Sequence, residues 1–212
     1  MKTRHAWWIP FCLFLLIGNV AALPQQFREG VHYQLVTPPS SRTPTGKVEV
    51  IEFLWYGCET CYVIQPHLQR WADSRRDSID YRRIPAVTNN DMILLARAFY
   101  TAEALGISDK VHHALFDAIH KHGRTLKSEQ DLAEFFEEQG VERDDFRQAF
   151  RSNYVAGMVR KARTLGSRYG IAGAPTIVID GKYRVDTSMV VSPQELIAVI
   201  DYLVNKESGK ES

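Results

Sequence analysis

Cys58 and Cys61 form the motif CETC, with two residues between the thiols. The segment before them, residues 48–56, is β-branched and aromatic, which predicts a buried strand, and Gly57 breaks that strand so that a helix begins at the cysteines. The free N–H groups and the positive dipole end of such a helix stabilise a thiolate at Cys58 and lower its pKa. The spacing therefore favours thiol–disulfide exchange, in which Cys61 closes the disulfide or resolves a mixed one.

Two other uses of this cysteine pair stay open at the level of sequence. One is half of a zinc site, with His67 as a third ligand, although no second cysteine pair is present. The other is a purely structural disulfide, although so short a loop constrains the unfolded chain little.

The N-terminal segment has the three parts of a secretory signal peptide. Lys2 and Arg4 precede an apolar run over residues 6–17, and small residues end the segment at Ala22. The run is shorter than the roughly 20 residues that span a bilayer as a helix. We expect cleavage after Ala22, and an uncleaved anchor is the alternative. Removing residues 1–22 also removes Cys12, which leaves the CETC pair as the only thiols of the mature chain.

Composition excludes several classes of protein. The chain has 212 residues, of which 45% are hydrophobic and 24% charged, as in ordinary globular proteins. The formal net charge of +1, or −1 without residues 1–22, gives no indication of a nucleic-acid partner. Three cysteines are too few for a disulfide scaffold or a four-thiolate zinc site.

The order of elements predicts an α/β domain that is split by a helical insertion. Residues 79–87 read as a second strand, and from Asp91 the apolar period changes from two to 3.6. Strands return at 176–179, where Asp180-Gly181 predicts a tight hairpin. We therefore expect an α/β domain over 23–87 and 170–212, interrupted by helices over 88–169. Local signals add a kink near Pro66, a capping box at Ser128 and Asp131, and a helix start at Ser192-Pro193.

A second candidate element is Gly173-Ala174-Pro175-Thr176, directly before the returning strand. A cis Pro175 would leave neighbouring backbone groups unpaired and facing the thiols, where an extended substrate segment could pair with them. An ordinary trans proline in a turn is the alternative.

Three segments together resemble the DsbA family of periplasmic thiol:disulfide oxidoreductases: VEVIEFLWYGCETCY, EALGISDKVHHALFDAIHK and GIAGAPTIVIDGKY. The resemblance extends over nearly the whole mature chain and implies a thioredoxin fold with an inserted helical domain. It further implies that Cys58 is the solvent-facing nucleophile, Cys61 its buried partner and Pro175 the cis proline. Glu52 matches the family's buried acidic residue beneath the active site, and Arg83 falls where the basic partner of that acid lies.

The sequence departs from the family pattern between the cysteines. DsbA proteins commonly have Pro-His there, whereas this chain has Glu59-Thr60. Thr60 can donate a hydrogen bond from its hydroxyl but brings no positive charge, and Glu59 disfavours a thiolate by repulsion. We therefore expect Cys58 to be less acidic, and the protein a weaker oxidant, than a Pro-His member. Before the proline, Ala174 replaces a common β-branched residue, which predicts a wider range of substrates.

The resemblance implies an exported oxidase that donates its Cys58–Cys61 disulfide to reduced, unfolded periplasmic proteins, with substrate pairing beside Ala174 and Pro175. Glu52 would assist the proton transfers of Cys61, and a membrane quinone-linked partner of the DsbB type would reoxidise the pair. No cofactor, metal or nucleic acid is expected, and we expect a monomer. The alternatives are a disulfide reductase or isomerase, a glutathione-dependent relative, and a thioredoxin-like chaperone of unfolded exported chains.

Two further groups of residues each allow two interpretations. His113, Asp117 and His120 fall at i, i+4 and i+7 of one helix, a spacing that could hold a metal but that we interpret as a solvated polar face. Trp55 and Tyr56 precede the cysteines, and strand alternation predicts that one lines a substrate groove while the other is in the core.

Overall fold

A five-stranded sheet forms the centre of the computed structural model, which describes residues 27–39 and 46–209. The predicted signal peptide and its cleavage site lie outside the described residues. In the sheet, the long strand that precedes the cysteines pairs in parallel with the strand after it in sequence and antiparallel with the first strand of the C-terminal hairpin. The strands are β1 (Gln34–Leu35), β2 (Val48–Leu54), β3 (Ile79–Pro85), β4 (Thr176–Ile179) and β5 (Tyr183–Asp186), in the spatial order β1-β5-β4-β2-β3.

Five of the seven α-helices in the described ranges lie between β3 and β4, so the predicted order of strand, helix, strand, helical block, hairpin and helix is confirmed. The boundaries proposed for the split domain and its insertion stay predictions. Over 27–39 and 46–209, no helix has the length and apolar character needed to cross a bilayer. The helices are α1 (Glu59–Ser74), α2 (Ile93–Ala104), α3 (Ser108–Phe116), α4 (Glu129–Glu138), α5 (Arg143–Phe150), α6 (Asn153–Arg168) and α7 (Pro193–Glu207).

Strand β2 is buried along its whole length, and Glu49 and Glu52 are buried with it. The expected buried strand is confirmed, and its glutamates are buried as well, because both faces of this central strand are covered. On one face, α1 and α7 pack on the sheet around Val50. On the other, Ile51 and Phe53 pack on residues at the end of α6 and after it. The strand therefore ends, just before the cysteines, in a region from which water is excluded.

Helix α1 begins directly at the cysteine pair, as predicted, with Cys58 as its N-cap in an extended conformation. Pro66 lies inside the helix, which nevertheless continues to Ser74. Its buried side turns toward β2 and α7, so the packing of the core fixes where the N-terminal end of the helix lies.

The C-terminal hairpin and the helix caps form as their local residues dictate. Asp180 and Gly181 have φ angles of 49° and 62°, as the predicted turn requires. Ser128 and Asp131 cap α4 reciprocally, which confirms the expected capping box. Ser192 caps α7, its hydroxyl accepting from the Glu195 N–H at 3.1 Å.

Replacing Ser192 with alanine should lower the free energy of unfolding by about 1 kcal/mol, because the start of α7 loses its side-chain cap. Urea denaturation followed by circular dichroism measures the change. Ser188→Ala is the matched control, since Ser188 is exposed and caps no helix. Equal stabilities for the two variants would contradict this role for the Ser192 cap.

Candidate active site

Cys58 and Cys61 lie at the N-terminal end of α1 with very different exposure. Cys61 is fully buried, whereas Cys58 is partly exposed, and both are free thiols. The Cys61 backbone N–H donates to Cys58 Sγ at 3.2 Å, which is the N-cap hydrogen bond of the helix. The Cys58 thiol donates to the Ala174 carbonyl oxygen at 3.3 Å, so the C-terminal part of the chain contacts the reacting sulfur.

The pKa of Cys58 is lowered to about 6, chiefly by the hydrogen bond from the Cys61 side chain and also by the backbone N–H groups of Cys61 and Thr60. Partial burial and the negative charge of Glu59 oppose this shift. The contribution of Thr60 thus comes from its backbone rather than from the hydroxyl that we expected to donate. This follows from the helix geometry, which directs the first N–H groups toward the N-cap.

Burial raises the pKa of Cys61, and its hydrogen bond to Cys58, the charge of Cys58 and the charge of Glu52 raise it further. Ionisation of the pair is therefore confined to Cys58 in the neutral range of pH. A nucleophilic, solvent-facing thiolate beside a protonated, buried thiol is the arrangement that disulfide exchange requires.

The loop before β4 approaches the thiols through Ala174 and Pro175. The Ala174–Pro175 peptide bond is cis, as the family resemblance implies. The Thr176 hydroxyl lies within 3.0 Å of the Gly173 carbonyl and 2.9 Å of an Asp186 carboxylate oxygen, which ties the loop to the hairpin. These bonds hold the loop in place opposite Cys58.

Glu52 lies on the face of β2 that α1 covers, and no part of it is exposed. It pairs in register with Arg83 of β3, whose Nε is 3.8 Å from Glu52 Oε2. Tyr81 donates to Oε2, and Gln65 Nε2 donates to Oε1 at 2.5 Å. Burial raises the pKa of Glu52 even though these hydrogen bonds and the Arg83 charge lower it. A carboxyl of this kind can hold a proton nearer to neutral pH than an exposed glutamate can.

The hydrogen bonds continue from Gln65 into the inserted helices. His112 Nε2 is 2.9 Å from Gln65 Oε1, which is only an acceptor, so Nε2 carries the proton. His112 Nδ1 then accepts from the Tyr56 hydroxyl at 3.1 Å. Burial, with the positive charges of Arg83 and His113, lowers the pKa of His112 to about 2, which keeps the ring neutral.

Sequence reasoning missed three members of this network. Gln65 could have been predicted from the sequence, because it lies four residues after Cys61 and so on the same face of the helix. Tyr81 could also have been predicted, because it lies two residues before Arg83 in the same strand and so on the same face of the sheet. His112 left no local signal, because only the packing of the insertion against β2 and α1 brings it to Gln65.

The interpretation of His113, Asp117 and His120 as one solvated face is wrong for two of the three. His113 is exposed, but the Asp117 carboxylate accepts from the Tyr62 hydroxyl at 3.0 Å. His120 stacks on the Tyr62 ring with centroids 5.1 Å apart, and its Nε2 donates to the Tyr56 carbonyl at 2.7 Å. The reason is a π-helical turn over Asp117–Lys121, which changes the spacing of side chains around the axis.

Of the two aromatic residues before the cysteines, one is in the core as predicted, and the assignment of the other to a substrate groove stays a prediction. Tyr56 is buried and packs against Phe116, with ring centroids 4.8 Å apart. Trp55 is partly exposed and lines a cavity beside Gly57.

As for metal binding, residues 27–39 and 46–209 contain no group of three or more His, Cys, Asp or Glu side chains placed to hold an ion.

The opposite shifts of the two thiol pKa values and the sheet order around β2 place the chain among thioredoxin-like dithiol–disulfide proteins. Residues 49–199 match the DSBA-like thioredoxin domain, and the chain belongs to that family. The resemblance and the fold class that it implied, a thioredoxin fold with an inserted helical domain, are thereby confirmed.

Relatives match over nearly the full length of the chain. The thiol:disulfide interchange protein DsbA of Azotobacter vinelandii is 39% identical over 211 residues, which cover 93% of this chain and 99% of the relative. The Burkholderia cepacia protein of the same name is 36% identical over 200 residues, covering 94% of each. The crystal structure of Pseudomonas aeruginosa DsbA superposes with a TM-score of 0.80 at 32% identity, covering 86% of this chain and 95% of that one.

Ultraviolet absorbance of the thiolate should show one titration in the reduced protein, with a pKa of about 6, from Cys58. In Cys61→Ala the same titration should move to higher pH, because Cys58 loses its largest stabilising hydrogen bond. Cys58→Ser should abolish the titration between about pH 4 and 8, since Cys61 stays protonated there. A wild-type value near the ordinary cysteine pKa of about 8.5 would contradict the site geometry.

Proposed function

We propose that the chain oxidises pairs of cysteine thiols in exported proteins by transferring its Cys58–Cys61 disulfide to them. It is a thiol:disulfide oxidoreductase of the DsbA family. The observation that carries the proposal is the asymmetry of the pair, in which the pKa of Cys58 is lowered to about 6 while that of buried Cys61 is raised. A stabilised thiolate is a good leaving group, so the reduced form of such a pair is favoured and the disulfide is readily given away.

The cycle balances as two thiol–disulfide exchanges. A client thiolate attacks Cys58 Sγ, the Cys58–Cys61 bond breaks, and Cys61 leaves and takes up a proton. A second client thiolate attacks the client sulfur of the mixed disulfide, and Cys58 leaves as a thiolate. The client loses two electrons and gains a disulfide, while the enzyme gains two electrons and ends as the dithiol. No bound cofactor takes part in these steps.

Glu52 is the group that we assign to the proton of Cys61. It is buried, its pKa is raised, and its charge acts on Cys61. A protonated Glu52 can supply the proton when Cys61 leaves, and the carboxylate can accept it when the pair is reoxidised. Gln65 and Tyr81 orient the carboxyl group through their hydrogen bonds.

The surface around Cys58 supports an extended, apolar client. We assign backbone pairing with the client to the loop at Ala174 and Pro175. An apolar groove of about 320 Å³ runs between the start of α1 and the start of α7. Val63 and Val191 are 52% and 94% exposed there, an unusual exposure that suits the apolar side chains of an unfolded protein. The Thr60 and Glu59 side chains also line this groove.

The proposal also covers how the Cys58–Cys61 pair is reoxidised and where the protein is located. The reduced pair needs an external electron acceptor, and we propose a membrane quinone-linked oxidase of the DsbB type. The N-terminal sequence and the family support a periplasmic location, where disulfides persist. We propose that the protein works as a monomer.

Residues 59 and 60 should set how strongly the protein oxidises. Replacing Glu59 with proline and Thr60 with histidine removes a negative charge that disfavours the Cys58 thiolate and adds a positive one. The double variant should therefore be more oxidising, with its equilibrium against glutathione shifted about tenfold or more toward the reduced enzyme. Glu59→Gln alone should shift it in the same direction but less. An unchanged or less oxidising double variant would contradict the role assigned to these residues.

Refolding of a reduced client separates an oxidase from a chaperone. Oxidised wild-type protein should restore the activity of reduced ribonuclease, and Cys58→Ser should lose this ability, because no disulfide remains to transfer. Lys161→Arg, a conservative change at an exposed residue of α6 that lines neither the groove nor the cavity beside the cysteines, is the control and should refold the client at the wild-type rate. Assistance that survives in Cys58→Ser would favour a thioredoxin-like chaperone instead.

A further inference from the structure

The side-chain amide of Gln65 lies between Glu52 and His112, and all three side chains are buried. Its NH2 group donates to Glu52 Oε1 at 2.5 Å, and its carbonyl oxygen is 2.9 Å from His112 Nε2. The two ends of an amide differ, since the NH2 group only donates and the carbonyl oxygen only accepts. The end that faces Glu52 therefore decides which form of that carboxyl group is stabilised.

An amide in the opposite orientation would favour protonated Glu52. Its carbonyl oxygen would then face Oε1, where it repels a carboxylate but accepts a hydrogen bond from a carboxylic acid. In the observed orientation the NH2 group stabilises the carboxylate instead. Burial raises the pKa of Glu52, and the hydrogen bond from Gln65 is one of the contacts that oppose this shift.

His112 allows only the observed orientation of the amide, because its Nε2 carries the proton. Nε2–H can donate to the Gln65 carbonyl oxygen but cannot bond to an NH2 group, which does not accept. The proton stays on Nε2 because Nδ1 accepts from the Tyr56 hydroxyl at 3.1 Å. Burial raises the pKa of Tyr56, and the charge of Glu52 raises it further, so this hydroxyl remains a donor.

The His112 ring is also neutral. Burial, with the positive charges of Arg83 and His113, lowers the pKa of His112 to about 2. A neutral ring brings no net charge to Glu52, so its effect on the carboxyl group passes through the amide. Replacing His112 should therefore alter Glu52 only while Gln65 is present.

The other groups around Glu52 act at different atoms. Tyr81 donates to Oε2, and Arg83 Nε is 3.8 Å from the same oxygen. On α1, the charge of Glu52 acts on Cys61. On β4, the residue paired with Glu52 is the apolar Ile177. The amide is thus the partner of Oε1, and the histidine fixes the amide.

We propose that His112 is a positioning residue for the proton transfer of Cys61. Its Nε2–H holds the Gln65 amide with the NH2 group toward Glu52, so that Glu52 releases its proton readily when Cys61 leaves. The inference rests on the proposed function, in which Glu52 is assigned to the Cys61 proton. It gives the inserted helices a part in the chemistry, since His112 belongs to α3.

The test follows the Glu52 carboxyl carbon by 13C NMR in the oxidised protein, where neither bonded cysteine titrates, and Glu52→Gln identifies the resonance. In His112→Met, which has no N–H donor, the titration midpoint should rise by about half to one pH unit, because the freed amide can turn and accept from protonated Glu52. His112→Gln should keep the wild-type midpoint, since its NH2 group can donate to Gln65 while its carbonyl accepts from Tyr56.

Gln65→Met provides the second background for this comparison. It should raise the Glu52 midpoint by itself, because the carboxylate loses a donor, and adding His112→Met should then change the midpoint little. Circular dichroism checks that each variant is folded. In the wild-type protein, 15N NMR should show a neutral His112 ring with its proton on Nε2, a measurement that needs no variant.

The reaction of the oxidised protein with dithiothreitol links the titration to the chemistry. The rate for His112→Met, divided by the wild-type rate, should rise with pH between the two Glu52 midpoints, because the variant keeps Glu52 protonated to higher pH. A ratio that does not depend on pH would overturn the link to proton transfer.

Four results would overturn the positioning role while leaving the oxidase intact. They are a wild-type midpoint in His112→Met, an equal rise in His112→Gln, an equal effect of His112→Met with and without Gln65, and a His112 proton on Nδ1. Failure of the wild-type protein to oxidise dithiothreitol would instead overturn the proposed function, and the role of His112 in proton transfer with it.

Discussion

The contact of Cys61 with Cys58 Sγ, through the Cys61 thiol and through the Cys61 N–H at 3.2 Å, is the interaction on which the chemistry depends. It makes the nucleophilic sulfur the N-cap of α1, so the free N–H groups at the start of the helix donate hydrogen bonds to the thiolate instead of to water. The position of that helix is in turn fixed by its packing on β2 and α7. The core of the domain and the acidity of one thiol are therefore parts of the same arrangement.

The second half of the site lies below the cysteines and depends on burial. Water is excluded around Cys61 and Glu52, so both resist ionisation, and the two groups are close enough for the charge of one to affect the other. The inserted helices contribute to this region directly, because His112 completes the hydrogen bonding of Gln65. The insertion also provides Asp117 and His120, which hold Tyr62 and the Tyr56 carbonyl on either side of the CETC motif. It thus forms one wall of the active site as well as a cover for the sheet.

Much of this could be predicted from sequence, because the signals are local. The CETC motif after a strand, the Asp180-Gly181 turn and the caps at Ser128 and Ser192 each depend on a few consecutive residues. The cis Pro175 and the pairing of Glu52 with Arg83 needed a family resemblance, since no short pattern distinguishes them. His112 and the bonds of Asp117 and His120 could not be predicted, because they depend on tertiary packing and on a π-helical turn that breaks the expected helical spacing.

The claim that the disulfide is donated because the Cys58 thiolate is stabilised is tested most directly by comparing the stability of the oxidised and reduced proteins as a function of pH. The pKa of Cys58 in the folded protein, about 6, is below the value of about 8.5 in the unfolded chain. The Cys58 thiolate therefore stabilises the folded, reduced form, and this contribution is fully present above the unfolded pKa. It is lost as the pH falls through the folded pKa. Urea denaturation of both forms should therefore show a reduced protein whose stability, relative to the oxidised one, rises steadily between about pH 6 and pH 8.5. A stability difference that stays constant over this range, or that increasingly favours the oxidised form as the pH rises, would contradict the claim.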